Sequence, residues 1–226
     1  LDVRSALEGG AKEIVLTGVH LGSWGYDLGA HLKDLIQALL RETDVPRLRL
    51  SSLEPWDLSP DFFSLWTNKR LMPHFHLPLQ SGCDLTLKRM ARKTTTESFR
   101  ALVAGARAVL PEAALTTDII AGFPGETADE FAQTLEFVRE MDFAGGHVFT
   151  YSPRPGTGAA RMKGQVQPEV RKQRNHILTE VLEESGKSYR EKFVGRTLPV
   201  LWESTSEMGE WGWQMEGHAP NFVRVQ

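Results

Sequence analysis

Short runs rich in β-branched residues alternate with amphipathic segments over the first 150 residues, and this alternation limits the folds open to the chain. Helical periodicity marks three of the intervening segments, whose apolar stripes begin at Leu32, Phe99 and Phe131. Repeated strand–helix units predict a parallel sheet with helices outside it, either an open doubly wound sheet or a β/α barrel. The predicted strands are EIVLTGVH (13–20), RLRLSSLE (47–54), HFHLPLQS (74–81), LTTDIIAG (115–122) and GHVFTYS (146–152).

The residues best suited to bind a ligand follow the predicted strands. In both architectures, ligands bind where the carboxyl ends of the parallel strands meet. A functional site is therefore predicted at the strand ends, which carry Thr17-Gly18, Glu54, Gln80-Ser81-Gly82, Ala121-Gly122-Phe123-Pro124-Gly125 and Tyr151-Ser152-Pro153.

Two of these strand ends run into glycine-bearing turns. Gly82 is expected to let the backbone approach a ligand closely. The turn GFPGET (122–127) opens a helix, whose backbone N–H groups are expected to receive a carboxylate, a phosphate or a purine edge. Thr-x-x-Glu capping boxes are predicted at 94–97 and 127–130.

Composition and charge exclude several classes of protein. No apolar run approaches the ~20 residues needed to span a bilayer, and a single cysteine excludes an internal disulfide framework, so a reducing cytoplasm is expected. The net charge of −3 argues against a generic nucleic-acid coat, but residues 88–107 and 154–174 are locally basic. These zones suit either a polyanionic partner or simply solvated helix faces.

The only cysteine, Cys83, is easier to explain as a bystander than as a nucleophile. The neighbouring Asp84 disfavours a thiolate, although Lys88 and Arg89 would favour one. Nothing in the sequence has the paired Cys/His spacing of a zinc site. From the residues alone, the chain is a β/α enzyme of unknown chemistry.

The pattern of predicted elements changes after Pro168. A long helix is predicted first, and from Gly195 short strands and turns follow: TLPVLWE (197–203), EWGWQMEG (210–217) and NFVRV (221–225). Two domains are therefore expected, residues 1–194 and a small β module over 195–226. The module is expected to stop before its last strands, and Leu1 to fall inside the end of a helix, as in a piece of a longer protein.

Five stretches, taken in order and spacing, resemble the methylthiotransferase family of radical S-adenosylmethionine enzymes. They are EIVLTGVHLGSWGYDL, RLSSLEP, HFHLPLQSGCDLTLKRMARKTT, TTDIIAGFPGET and YSPRPGTGAARM. The resemblance covers nearly the whole chain and is greatest to the MtaB branch, which thiomethylates N6-threonylcarbamoyladenosine beside the tRNA anticodon. It implies a partial β/α radical-SAM barrel lacking its first strand, followed by the start of a TRAM β-barrel.

The resemblance also implies which residues hold S-adenosylmethionine. Thr17 and Gly18 would receive the methionyl group, and Glu54, Gln80 and Ser81 would contact the ribose and the amino group. Ile120 and Gly122 would pack on the adenine, with Phe149 and Tyr151 adding contacts. No residue is expected to act as a general acid or base, because in such enzymes the cofactors supply the radical chemistry.

The chain departs from the family in its cysteines. The family holds one [4Fe–4S] cluster through C-x-x-x-C-x-x-C and a second through an N-terminal domain, and none of these ligands is present. No residue here is therefore expected to bind metal, and the chain alone is expected to be inactive. Cys83 lies in a different turn and is not a displaced ligand.

By resemblance, the partners are the tRNA anticodon stem-loop and a reductant such as flavodoxin or ferredoxin, with no membrane, and the intact enzyme is expected to be monomeric. RNA contacts are expected from Trp202, Trp211, Trp213 and Phe222 in the β module, and from the basic residues Lys88, Arg89, Arg92, Lys93, Arg154 and Arg161.

Three alternatives remain open. One is an RNA-binding paralogue without clusters. Another is a methylthiotransferase acting on isopentenyladenosine in tRNA or on a ribosomal-protein aspartate. The third is an aldolase-like barrel, for which only Glu54 and Asp118 offer strand-end carboxylates.

Overall fold

A computed structural model describes residues 1–59, 61–209 and 212–226. The five predicted strands of the first 150 residues all form, although the first three have only three residues each and the fifth is one residue shorter than predicted. The strands are β1 Ile14–Leu16, β2 Leu48–Leu50, β3 His74–His76, β4 Ala114–Ala121, β5 Gly145–Thr150, β6 Leu201–Gly209, β7 Gly212–His218 and β8 Arg224–Val225. The helices are α1 Asp2–Glu8, α2 Leu32–Glu42, α3 Asp84–Arg89, α4 Thr96–Val109, α5 Ala128–Met141, α6 Gly158–Arg161 and α7 Pro168–Glu191.

The chain divides into two compact units. Unit 1 comprises residues 1–76, 106–114 and 193–226, and unit 2 comprises residues 77–105 and 115–192. The predicted boundary at residue 195, between a barrel domain and a β module, stays a prediction.

Unit 1 is built on parallel strands. β1 pairs with β2 in a register that sets Ile14 opposite Leu48. The segment containing β3 continues this arrangement through parallel bridges from Leu48 to Leu71 and from Ser52 to His76. The carboxyl ends of these strands therefore lie at one edge, as the sequence predicts.

The core of unit 1 is apolar and partly aromatic. Leu48 and Leu50 of β2 are fully buried, as expected for a strand that is covered on both faces. Between β2 and β3 the chain forms two 3-10 segments, Pro55–Asp57 and Phe62–Thr67, instead of a regular helix. The second segment supplies Phe62, Phe63 and Trp66, which form a buried aromatic cluster with Phe75 of β3.

The C-terminal strands of unit 1 form an antiparallel sheet in the order β6–β7–β8. Phe222, before β8, stacks on the ring of His74 at 4.1 Å and on that of His218 at 4.7 Å. The Arg49 guanidinium lies 5.1 Å from the Phe222 ring centre and donates to the carbonyl of Pro220. Burial, with the nearby charge of Arg49, lowers the pKa of His74 to about 3, so this stack contains a neutral imidazole.

Unit 2 is organised around β4. The segment after β3 runs beside it, since Leu77 donates to the carbonyl of Thr116 and Gln80 donates to that of Asp118. On its other side β4 pairs in parallel with β5, from Thr116 opposite Gly145 to Ala121 opposite Thr150. The parallel α/β fold class is thus present in both units.

Only one of the two predicted capping boxes forms as predicted. Thr127 and Glu130 exchange hydrogen bonds at the start of α5. At α4 the reciprocal bonds instead join Thr95 and Ser98, while the buried Thr94 hydroxyl has no hydrogen-bond partner among the described residues. The box predicted from Thr94 was wrong by one residue, because Ser98 caps as readily as Glu97 and the helix begins one position later.

Gly82 serves packing within unit 2. It is buried, and a Cβ at this position would lie 2.7 Å from the Phe137 Cβ and 2.9 Å from the Thr134 Cα of α5. The close approach that the sequence assigned to a ligand is here made by a helix.

We expect Gly82→Ala to lower the free energy of unfolding by about 1–3 kcal/mol, because the added methyl group overlaps the backbone of α5. Gly158→Ala is the matched control, since a Cβ at that exposed helix start meets nothing within 4 Å. Chemical denaturation of both variants measures the difference. Equal stability of the two variants would contradict the packing role of Gly82.

Candidate functional site

A cavity of about 580 Å³ opens in unit 2 at the carboxyl ends of β4 and β5. Its size lies within the range of about 300–1,000 Å³ that is typical of small-molecule sites. Four of the predicted cofactor-binding residues line it: Gln80, Ile120, Phe149 and Tyr151. The other lining residues are Asp118, Phe123, Thr150, Ser152, Arg154, Thr157 and Ala159.

Gln80 is held in an unusual backbone conformation at the edge of this cavity. Its φ is +67°, in the left-handed region that non-glycine residues rarely occupy. Hydrogen bonds on both sides fix it there, because its N–H donates to Asp118 and its carbonyl accepts from Ile120. Strain of this kind tends to collect at functional sites. Its carboxamide, which makes no hydrogen bond to a described residue, is available to a ligand.

The walls of the cavity are mostly apolar. Phe149 is half exposed, and the ring of Phe123 meets the ring of Tyr151 edge-on at 5.3 Å. The Tyr151 hydroxyl oxygen is buried and has no hydrogen-bond partner among the described residues. An apolar slot with a few polar groups suits a flat heteroaromatic ring with a polar edge.

The GFPGET turn is held by Glu126, one of its own residues, and by Arg174 of α7. Gly122, with φ +75°, donates its N–H to the carboxylate of Glu126 at 3.2 Å. Arg174 of α7 donates to the same carboxylate at 2.6 Å and to the Glu126 carbonyl at 3.0 Å. Burial raises the pKa of Glu126, although its hydrogen bond with Arg174 works in the opposite direction.

Several backbone donors of this turn are already used by carboxylates of the protein itself, and the expected use of the turn by a ligand stays a prediction. The N–H of Gly122 is occupied by Glu126, and those of Thr127 and Glu130 are occupied by their capping box. The side chain of Arg171 also lies directly against Gly122, in the space that a Cβ would fill. The turn shapes the cavity wall and does not offer a ring of free donors.

Ser81 and Gly122 do not line the cavity. The Ser81 hydroxyl is buried within hydrogen-bond distance of Thr134, at 3.1 Å, and accepts from the N–H of Cys83. The buried Cys83 precedes α3. The cofactor contacts assigned to Ser81 and Gly122 stay predictions.

The remaining predicted cofactor residues belong to unit 1. Thr17 and Gly18 are exposed directly after β1, and Glu54 is half-buried after β2. Because β1 and β2 are parallel neighbours, these residues share the carboxyl edge of that pair. Sequence reasoning missed a further pair at this edge: His20 Nε2 lies 2.5 Å from Asp57 Oδ2. The signal was Gly22, whose missing side chain makes room for Asp57.

The predicted RNA-binding residues differ in their environments. Lys88, Lys93 and Arg154 are exposed, and Arg154 also lines the cavity. Arg161 is exposed, and Arg92 is half-buried. Among the predicted aromatic contacts, Trp202, Trp213 and Phe222 are partly exposed, and Trp211 lies outside the described residues.

Arg89 is committed to the protein itself. Its guanidinium binds both carboxylate oxygens of Glu130, at 2.9 and 2.5 Å, and donates to Thr86. These hydrogen bonds tie α3 to α5. Sequence reasoning missed this pairing, because the two residues lie 41 positions apart.

Residues 3–138 match the family model described as the Radical SAM superfamily, and the chain belongs to this superfamily. Two solved radical SAM enzymes share the fold. Coproporphyrinogen III oxidase (HemN) from Escherichia coli aligns over 78% of this chain and 41% of that chain, with a TM-score of 0.61 and 21% identity. The methyltransferase TsrM from Kitasatospora setae aligns over 69% of this chain and 31% of that chain, with a TM-score of 0.56 and 17% identity. The predicted partial β/α barrel is thereby confirmed as the fold class.

Among curated proteins, the chain is similar to tRNA methylthiotransferases. It is 42% identical to the threonylcarbamoyladenosine tRNA methylthiotransferase MtaB of Thermotoga maritima, over 86% of this chain and 45% of the relative. It is 40% identical to the tRNA-2-methylthio-N(6)-dimethylallyladenosine synthase of Bacillus velezensis, over 91% of this chain and 41% of the relative. The chain thus spans less than half the length of these relatives.

Membership of the superfamily implies S-adenosylmethionine and a [4Fe–4S] cluster. The cavity fits the nucleoside part of S-adenosylmethionine. Its walls are mostly apolar, as the faces of a purine require, and the buried Tyr151 hydroxyl has no hydrogen-bond partner among the described residues. The residues of this chain do not fit the cluster, which takes cysteine thiolates, since Cys83 is the single cysteine. The described residues contain no group of three or more His, Cys, Asp or Glu side chains that could hold a metal ion.

Over the described parts of the chain, no helix is both long enough and apolar enough to cross a membrane.

We expect Glu130→Gln to change the dependence of stability on pH. The hydrogen bonds from Arg89 lower the pKa of Glu130, so its stabilisation is present above the unfolded-state value, near pH 4.5, and is lost as the pH falls through the lower folded-state value. Wild type should therefore lose more stability than the variant on acidification below about pH 5. At pH 7 the variant should be about 1–3 kcal/mol less stable.

Urea denaturation at a series of pH values measures both effects. Glu136→Gln, on the exposed side of the same helix, is the matched control and should follow the wild-type curve. If Glu130→Gln had the same stability as wild type at every pH, the ion pair with Arg89 would not stabilise the fold.

Proposed function

We propose that the chain is the S-adenosylmethionine-binding core of a tRNA methylthiotransferase that modifies N6-threonylcarbamoyladenosine beside the anticodon. The observation that carries the proposal is the cavity at the ends of β4 and β5, lined by Gln80, Ile120, Phe149 and Tyr151. The choice of substrate rests on the similarity to the Thermotoga maritima relative and to the Bacillus subtilis MtaB, which is 36% identical over 97% of this chain.

In this proposal the cavity holds the adenosine of the cofactor. Ile120, Phe123 and Phe149 pack against the faces of the purine, where apolar and aromatic surface is favourable. The Tyr151 hydroxyl and the Gln80 carboxamide meet the polar edge or the ribose, because both have hydrogen-bonding capacity that no described residue uses.

The resemblance to the family assigns roles to the other predicted residues. By that resemblance alone, Thr17 and Gly18 are proposed to receive the methionyl group, and Glu54 is proposed to contact the ribose and the amino group. Ser81 stays proposed as a contact of the ribose and the amino group, and Gly122 as a surface on which the adenine packs. Ser81 bonds to α5 and Gly122 to Glu126, and both fix the turns that border the cavity.

Bound S-adenosylmethionine supplies the radical and methyl-donating chemistry of such an enzyme. The residues of this chain bind the cofactor, orient it and keep water from the purine. None is proposed as a general acid or base. The thiolates that hold the two [4Fe–4S] clusters of the intact enzyme are proposed to come from outside this sequence, so the chain alone is not expected to turn over substrate.

The RNA substrate is proposed to lie along the basic side chains. Lys88, Arg92, Lys93, Arg154 and Arg161 would neutralise backbone phosphates, and Arg89 would act through its support of α3. The intact protein is proposed to be a cytoplasmic monomer that takes electrons from flavodoxin or ferredoxin.

A second substrate deserves a direct comparison, because the Bacillus velezensis relative, named for dimethylallyladenosine, is 40% identical. The two relatives differ in the N6 substituent that their names give. The basic residues would bind either RNA, so only the modified base can separate these two functions.

We expect Phe149→Ala to weaken the binding of S-adenosylhomocysteine to the chain about tenfold, since an aromatic wall of the purine slot is lost. Phe149 is half exposed, so its truncation should leave the fold intact. Leu85→Ala, an exposed apolar residue of α3 that does not line the cavity, is the matched control. Isothermal titration calorimetry measures both. Equal binding by the two variants, or no binding by wild type, would overturn the cavity as the cofactor site.

We expect Arg154→Glu to weaken binding of an anticodon stem-loop carrying N6-threonylcarbamoyladenosine and to reduce the salt dependence of the affinity by about one phosphate contact. Lys187→Glu, an exposed change on α7, is the control. Fluorescence anisotropy on this RNA and on its isopentenyladenosine counterpart compares the substrates. Preference for the second RNA would favour the isopentenyladenosine branch, and binding of neither would contradict an RNA substrate.

A further inference from the structure

A second cavity, of about 510 Å³, lies within unit 1 at the amino ends of β3 and β4. We call it the amino-end cavity. It shares no lining residue with the first cavity, and neither the superfamily nor the proposed function assigns it a role. Its lining residues are Pro73, Leu110, Pro111, Glu112, Ala113, Phe193, Arg196, Leu198, Pro220 and Asn221.

The frame of this cavity is fixed by backbone and ionic contacts. Ala114, the first residue of β4, donates its N–H to the carbonyl of Pro73, and Ala113 donates to that of Leu110. The Arg196 guanidinium binds both carboxylate oxygens of Glu112, at 2.6 and 3.0 Å. These contacts join the segment after α7 to the segment before β4, so the cavity is a formed feature of unit 1.

One polar residue in the lining of the amino-end cavity carries a buried oxygen without a hydrogen-bond partner among the described residues. Asn221 is only 6% exposed, and its buried Oδ1 accepts no hydrogen bond from any described residue. A buried carbonyl oxygen normally accepts a hydrogen bond. Burial removes its hydrogen bonds to water, and this costs free energy when no protein donor replaces them. The prolines in the walls cannot supply the missing donor, since proline has no N–H.

The remaining surface defines the chemistry of an occupant. Leu110, Ala113, Phe193 and Leu198 form apolar walls, which favour a hydrophobic ligand. The Arg196 guanidinium lies 5.1 Å from the Phe193 ring centre, and its charge is matched by Glu112. The charged groups of the lining are thus paired with each other, and a neutral ligand fits best.

We propose that the amino-end cavity binds a small neutral aromatic molecule whose N–H or O–H group donates a hydrogen bond to Asn221 Oδ1. The ring occupies the apolar walls, and the single donor satisfies the buried carbonyl. The site is independent of the proposed cofactor site and does not require a bound cluster. Its occupant joins three segments of unit 1, namely residues 110–113, 193–198 and 220–221.

The test uses two probes of nearly equal shape, indole and 1-methylindole, which differ in the ring N–H. Protein-observed NMR titration of the chain should give saturable shifts at the lining residues with both probes, and indole should bind roughly fivefold more tightly. This comparison needs no variant, so it does not depend on whether a substitution disturbs the fold. Equal affinities would overturn the hydrogen bond to Asn221, and the absence of saturable binding would overturn the site.

Two variants locate the effect. Asn221→Leu keeps the branched shape of the side chain but removes the acceptor, and should abolish the preference for indole while 1-methylindole still binds. Ala113→Leu places extra side-chain volume in the cavity and leaves Asn221 unchanged. It should weaken the binding of both indole and 1-methylindole at least tenfold. A preference for indole that survives in Asn221→Leu, or wild-type binding by Ala113→Leu, would contradict the proposal.

Discussion

A buried ion pair holds the turn on which the candidate cofactor cavity depends. Arg174 of α7 donates to the carboxylate and to the carbonyl of Glu126, and that carboxylate also accepts the N–H of Gly122. Removing one partner of such a pair leaves a buried charge, at a cost of about 3–5 kcal/mol. Because α7 follows β5 in the chain, the turn after β4 is held by a residue from a later element of unit 2.

The cavity combines rigid strand ends with adaptable side chains. Gln80 is pinned by hydrogen bonds in a left-handed conformation, and Tyr151 is anchored through its backbone to Ala121 and Arg171. Phe149, in contrast, is half exposed, and its ring centre lies 6.2 Å from that of His147. Rigid elements that present a few polar groups in an apolar slot are what a nucleoside site requires.

Sequence reasoning succeeded where the determining interactions are local. The strand–helix alternation and the Thr127 capping box involve neighbours in the chain, and both were predicted correctly. It failed where distant segments compete for the same group. Arg89 pairs with Glu130, 41 positions away, and the N–H of Gly125 in the GFPGET turn donates to the carbonyl of Gly164, 39 positions away. A charge pattern or a glycine turn in the sequence does not show which distant group will form the hydrogen bond or ion pair.

The sequence by itself determined the parallel α/β class, the order of the elements and the strand ends at which functional residues collect. Periodicity and turn residues suffice for this, because they act over a few residues. Only the tertiary structure decided that Gln80, Ile120, Phe149 and Tyr151 face one cavity, while Ser81 and Gly82 face α5. The direction of a side chain at a strand end depends on what packs against it. In this protein, α5 and α7 come from later in the chain to fill that space.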